Sequence, residues 1–115
     1  MSGVVAKLSG ECSASILEIA QALKNELKAE GILDSYQEIN DVKIVTLVFE
    51  RFYWRNGSYA SLTIALREYN GHCEGELAAS GGGEGIFNIS WGANRNFGNE
   101  ATRILMRYNL QVIEI

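Results

Sequence analysis

An α+β fold is predicted, with an antiparallel meander sheet carrying two helices packed on one of its faces. The element order is β-α-β-β-β-β-α, with the C-terminal tail available as an extra strand. Three observations predict it. A helical-period apolar stripe opens on a capping signal near the N-terminus, and two Asn-Gly dipeptides each separate runs of β-branched and aromatic residues. A second helical stripe closes the chain.

Residues 3–8, GVVAKL, read as a first strand. Ser15 and Glu18 form an S-x-x-E capping box, in which each side chain satisfies an orphan N–H of the first helical turn. Behind it Ile16, Ile19, Ala20, Leu23 and Leu27 recur at helical spacing, and Gly31 is placed as the residue that stops the helix, with Ile32 folding back on it. Residues 32–41 are read as a connection.

From Val42 the period changes to that of strands. VKIVTLVFERFYWR ends at Asn56-Gly57, SYASLTIALREY ends at Asn70-Gly71, and HCEGELAAS follows. Asn-Gly supplies the two positive φ angles of a type I′ turn, so each dipeptide predicts a two-residue hairpin. That geometry sets Phe49 opposite Ile64 and Leu47 opposite Leu66. In the next hairpin it sets Ile64 opposite Leu77, Leu62 opposite Ala79 and Arg67 opposite Glu74. One face then reads Val45, Leu47, Phe49, Leu62, Ile64, Leu66 and Leu77, a core face, and on the other face the Arg67–Glu74 pair is electrostatically favourable. Phe87, Ile89 and Trp91 alternate with polar residues as a fourth meander strand, and GANRNFG (92–98) reads as a loop. NEATRILMRYN forms the second helix with Asn99 or a neighbour as cap, and LQVIEI is a candidate edge strand.

The 115 residues suffice for one core, so residues 1–115 are read as a single domain. A net charge of −4, with six Arg and four Lys scattered along the chain, argues against nucleic acid or an anionic membrane as partner. VVAKLSG, interrupted by Lys7, is no secretory signal, and no apolar run reaches the roughly 20 residues of a membrane span. The expected location is the cytoplasm. Cys12 and Cys73 form no CxxC motif and are read as reduced and partly buried.

The run ASGGGEGIF, with four glycines at 81–83 and 85, lacks the lysine of a phosphate-binding P-loop and is followed by strand rather than by a helix N-terminus. Two readings stay open: a hairpin connection whose glycines supply positive φ, or an anion site. In the second, Arg51, set inward by parity opposite Leu62 and Ala79, converges with the Ser80 hydroxyl and the amides of Gly81, Gly82 and Gly83 on a small anionic ligand. The alternative partner for Arg51 is an internal carboxylate. On the outer face Phe52, Trp54 and Tyr59 form an interaction patch for a second copy of the chain, unless a loop or the C-terminal strand covers them.

His72, Glu74 and Glu76 share a strand face too spread out to hold a metal. With one His in the chain, nucleophilic catalysis has no support. No metal site, no catalytic residue and no cofactor are expected.

The stretches ERFYWRNGSYASLTIAL (Glu50 to Leu66), SGGGEGIF (Ser80 to Phe87) and GNEA before the last helix resemble a family of small uncharacterised bacterial proteins, domain of unknown function 6054. The family's Glu-Arg late in the first long strand is matched by Glu50 and Arg51, and its Ser-Gly-Gly before an aromatic strand by Ser80, Gly81 and Gly82. The chain departs from the pattern in its bulky Phe52-Tyr53-Trp54 and in extra residues around Gly83 to Gly85. The resemblance covers roughly the C-terminal two-thirds and implies no activity. The expected function is a non-enzymatic, self-associating cytoplasmic binding domain; the alternative is a pocket at the Arg51 end.

Overall fold

A computed structural model of the chain describes residues 3–54, 57–81 and 97–114. In chain order its elements are β1 (Gly3–Glu11), α1 (Ile16–Glu26), β2 (Glu30–Ile39), β3 (Val42–Tyr53), β4 (Ser58–Tyr69), β5 (His72–Gly81), α2 (Phe97–Arg107) and β6 (Gln111–Glu114). The strands form one antiparallel sheet in the order β2-β3-β4-β5-β1-β6. This is the predicted α+β class, with the C-terminal tail as an edge strand. The strand expected at Phe87–Trp91 lies outside the described residues.

Turn chemistry sets the register. Asn70 (φ 48°) and Gly71 (φ 78°) make the two-residue loop that the sequence called for, so Arg67 faces Glu74, Ile64 faces Leu77 and Leu62 faces Ala79. At the other Asn-Gly, pairing already ends at Tyr53 and Ser58, and the Gly57 N–H donates to the Tyr53 carbonyl at 2.9 Å. The loop is therefore four residues, 54–57, and the expected register is corrected by two: Phe49 faces Leu62, Leu47 faces Ile64 and Arg51 faces Ala60. A shift of two leaves every side chain on its face. Val45, Leu47, Phe49, Leu62, Ile64, Leu66 and Leu77 are all buried. Each contributes about 1.5–3 kcal/mol of burial.

Both helices lie on this face and share its core. Helix α1 starts as read: the Ser15 Oγ accepts from the Glu18 N–H at 3.3 Å, and Ile16, Ile19, Ala20, Leu23 and Leu27 are buried. Ser15→Ala is expected to cost about 1 kcal/mol, read as a shift of the urea midpoint with unchanged slope. Its end is corrected. The helix stops at Glu26, with Leu27 as an extended C-cap, and Gly31 belongs to β2, beside a bulge between Gly31 and Leu33. Residues 32–41 are thus mostly strand, closed onto β3 by a tight turn at Asn40 (φ 55°). Strand β2 is exposed along nearly its whole length, so no apolar alternation marked it.

Helix α2 begins at Phe97, two residues before the expected cap. Phe97 is fully buried, and Asn99, itself buried, sits inside the helix. Arg107 near the helix end donates to Glu26 at 2.8 Å and ties the two helices together. Strand β1 runs to Glu11, and at Gly10 a Cβ would stand 2.0 Å from the Asn109 carbonyl oxygen, so only glycine admits that backbone. Among the described residues, no helix is long and apolar enough to cross a membrane.

Candidate functional site

Strand parity aims Arg51 into the helical layer, and the structure gives it an internal partner. Its Nη1 and Nη2 donate to Glu100 Oε2 (2.6 Å) and Oε1 (3.3 Å), and its Nε donates to the Lys28 carbonyl at 2.9 Å. The guanidinium lies over the Phe97 ring at 4.3 Å, and Tyr53 Oη is 3.5 Å from Nη1. Burial would push the Arg51 guanidinium down, but the hydrogen bonds and charge of Glu100 hold it above its ordinary value. Burial likewise raises the Tyr53 phenol, and the neighbouring Arg51 pulls it part of the way back. One side chain thus joins β3, the α1–β2 connection and the first turn of α2.

Ser80 does not join this group. Its hydroxyl is 3.1 Å from that of Ser61, with which it is paired across β4 and β5, so it leaves the sheet by the face opposite to Arg51. Gly81 is in register with Ala60 and through it with Arg51. Its φ is 82°, and a Cβ there would lie 2.7 Å from the Tyr59 carbonyl oxygen, so the first glycine of the run is required by backbone geometry. Gly82 and Gly83 lie outside the described residues. Glu100 and Phe97 escaped the sequence reading because they sit beyond the glycine run, in a segment read as loop and cap; only Arg51's need for a counter-charge pointed towards them.

The aromatics do come together. Phe52 and Tyr59, opposed across β3 and β4, meet edge-on with centroids 5.1 Å apart, and Trp54 meets Phe52 at 5.1 Å and 90°. Trp54 is 88% exposed, Tyr59 60% and Phe52 36%. Leu33, on the same face of β2, is also exposed. Farther across the outer face the surface turns charged: Arg67 bridges Glu74 at 3.3 Å and Glu76 at 2.9 Å. His72 stands 3.8 Å from Glu74. The two glutamates are thus engaged by Arg67, beside a shallow cleft of about 240 Å³ that Lys7 and Ile113 also line.

A third group lies at the opposite end of β4. Cys12 and Cys73 are joined by a disulfide, Cα atoms 5.3 Å apart, which corrects the reading of both as reduced. The physical reason is the strand order. Strand β1 inserts beside β5, Gly10 faces Cys73, and the Cys12 N–H donates to the Gly71 carbonyl at 2.8 Å, which brings the two sulfurs together. No local pattern announces that pairing. Beside the bridge, Glu68 Oε1 accepts from the Ile16 N–H at 2.9 Å and caps the first turn of α1 from another strand.

No curated protein and no solved structure matches this chain. A family model does match, described as "Family of unknown function (DUF6054)", over residues 1–109. The match runs from β1 through α2 and takes in the Arg51–Glu100 tie, the aromatic cluster and both cysteines. With everything up to the residues of β6 covered, the chain belongs to the family of unknown function DUF6054.

Proposed function

We propose that this protein is a cytoplasmic binding domain without catalytic chemistry, which associates with a second copy of itself through the aromatic end of its outer sheet face. The observation that carries the reading is the cluster of Phe52, Trp54 and Tyr59. These rings pack on one another while Trp54 and Tyr59 keep most of their surface in water. Rigid aromatics supply large contact area at small entropic cost and are enriched at the centres of interfaces. Leu33 is a further exposed apolar side chain on the same face, paired with Val48. A pocket for a small anion at the Arg51 end is the weaker reading, because an incoming anion would compete with Glu100 for the guanidinium.

Sedimentation equilibrium tests it. The wild type is expected to be dimeric at tens of micromolar, and Trp54→Ser combined with Tyr59→Ser is expected to be monomeric with an unchanged circular-dichroism spectrum. A wild type that is monomeric at tens of micromolar would remove this reading.

A further inference from the structure

The Cys12–Cys73 bridge does not stand alone. One ligand atom from each of Cys12, Cys73 and Glu68 lies within 4.8 Å of the others. The three residues come from three separate segments: the β1–α1 connection, β5 and β4. Two sulfurs and a carboxylate gathered in this way are a donor set for a thiophilic divalent cation. We propose that reduction of the bridge converts this corner of the fold into a binding site for one such ion, zinc by preference, held by the Cys12 and Cys73 thiolates and the Glu68 carboxylate.

Geometry comes first. Zinc–sulfur bonds of about 2.3 Å in a tetrahedral site hold two sulfurs about 3.8 Å apart. Side chains anchored on Cα atoms 5.3 Å apart reach that spacing by rotation about their Cα–Cβ bonds, with the backbone in place. The third ligand is already positioned. Glu68 Oε1 is held by the Ile16 N–H, and Oε2 is left to coordinate. Carboxylate ligands oriented by a second hydrogen bond in this way bind metal more tightly.

Charge follows. Two thiolates, one carboxylate and a divalent cation sum to −1, and the positive end of α1, which begins at Ile16, faces that surplus. Thiolate donors disfavour magnesium and calcium, and water completes the fourth position.

The chemistry balances with a low-molecular-weight thiol as reductant. Two such thiols give up two electrons and join as their own disulfide, while the Cys12–Cys73 bond breaks and both sulfurs become thiols. Cation binding then displaces the two thiol protons to solvent. In a reducing compartment a cysteine pair of this kind is more often a metal or redox site than a structural bridge. Oxidation would expel the ion, so bridge and cation exclude each other.

The test compares one chain in two redox states. Oxidised protein and protein reduced with a phosphine are titrated with zinc(II) against a chromophoric chelator, then with cobalt(II). The reduced chain is expected to take one equivalent of zinc, to gain thermal stability from it, and to show sulfur-to-cobalt charge-transfer absorption. The oxidised chain is expected to do none of these. Glu68→Gln keeps an acceptor for the Ile16 N–H but is a poor ligand, and is expected to weaken zinc at least about tenfold. Cys12→Ser is expected to abolish the charge-transfer band's two-thiolate intensity. Equal binding in the two redox states, a cobalt complex without that band, or full affinity in Glu68→Gln would each overturn the proposal. So would a reduced chain that unfolds and is not refolded by zinc.

Discussion

Loss of the Cys12–Cys73 bridge is expected to lower the free energy of unfolding by about 4 kcal/mol. The bridge spans a sequence separation of 61 residues, and closing so long a loop removes much of the freedom of the unfolded chain. The native side adds little that would reduce the effect. Cys73 is fully buried and Cys12 packs against the same core, so reduction leaves both side chains within the core while the denatured ensemble expands. Urea unfolding of oxidised and reduced protein, both with a chelator present, measures the difference; Cys12→Ser with Cys73→Ala provides the same comparison without reductant. A difference below about 1 kcal/mol would show that the bridge does not constrain the unfolded chain.

Arg51→Met is expected to cost about 3 kcal/mol, the next largest effect of a single change. The guanidinium and the Glu100 carboxylate are 16% and 28% exposed, so the pair is largely withdrawn from water without being sealed from it. Removing Arg51 leaves Glu100 half-desolvated without its cation, uncaps the Lys28 carbonyl and strips the cover from Phe97. Glu100→Gln is expected to cost less, about 2 kcal/mol, because the amide oxygen still accepts one of the two hydrogen bonds. Combining Arg51→Met with Glu100→Leu is expected to cost less than the sum of the separate changes, since no orphaned charge remains. A double-mutant cycle by urea unfolding reads the coupling, and strict additivity would mean that the two side chains do not stabilise one another.

How far the sequence could be read depended on whether the relevant constraint was local. Asn70-Gly71 supplied both positive φ angles within the dipeptide, so the β4–β5 register followed from two residues. Asn56-Gly57 carried the same letters, yet Trp54 joined the turn and the register moved by two. Because strand faces repeat every two residues, the core list was unaffected while the neighbours of Arg51 became Ala60 and Gly81. The strand β2 left no trace in the apolar pattern, since water reaches it on both sides; the Asn40-Asp41 pair was the available mark of its turn. The disulfide was invisible for a different reason. It depends on β1 choosing β5, a choice made between residues more than half the chain apart. Of the candidate site, parity put Arg51 inside and the aromatics outside, because alternation along one strand decides both. It could not supply Glu100, which arrives from another element.

The place of β1 between β5 and β6 has a consequence for the order in which the molecule assembles. The three hairpins from β2 to β5 close over loops of two to four residues, events of microseconds that need nothing beyond their own stretch of chain. Strand β1, which precedes them in the chain, has no partner among its immediate neighbours in sequence. Lys7 must wait for Glu76, and only when β1 has docked does β6 find an edge to join. Strand β1 therefore stays unpaired until β5 has been made, the state most open to pairing with another chain. Such a topology raises the share of long-range contacts and slows the last stage of folding relative to the first. The seam between β5 and β1 thus closes after the three hairpins and before β6 can join. It is also the seam across which Cys12 and Cys73 meet, so the covalent link records that the slowest step is complete.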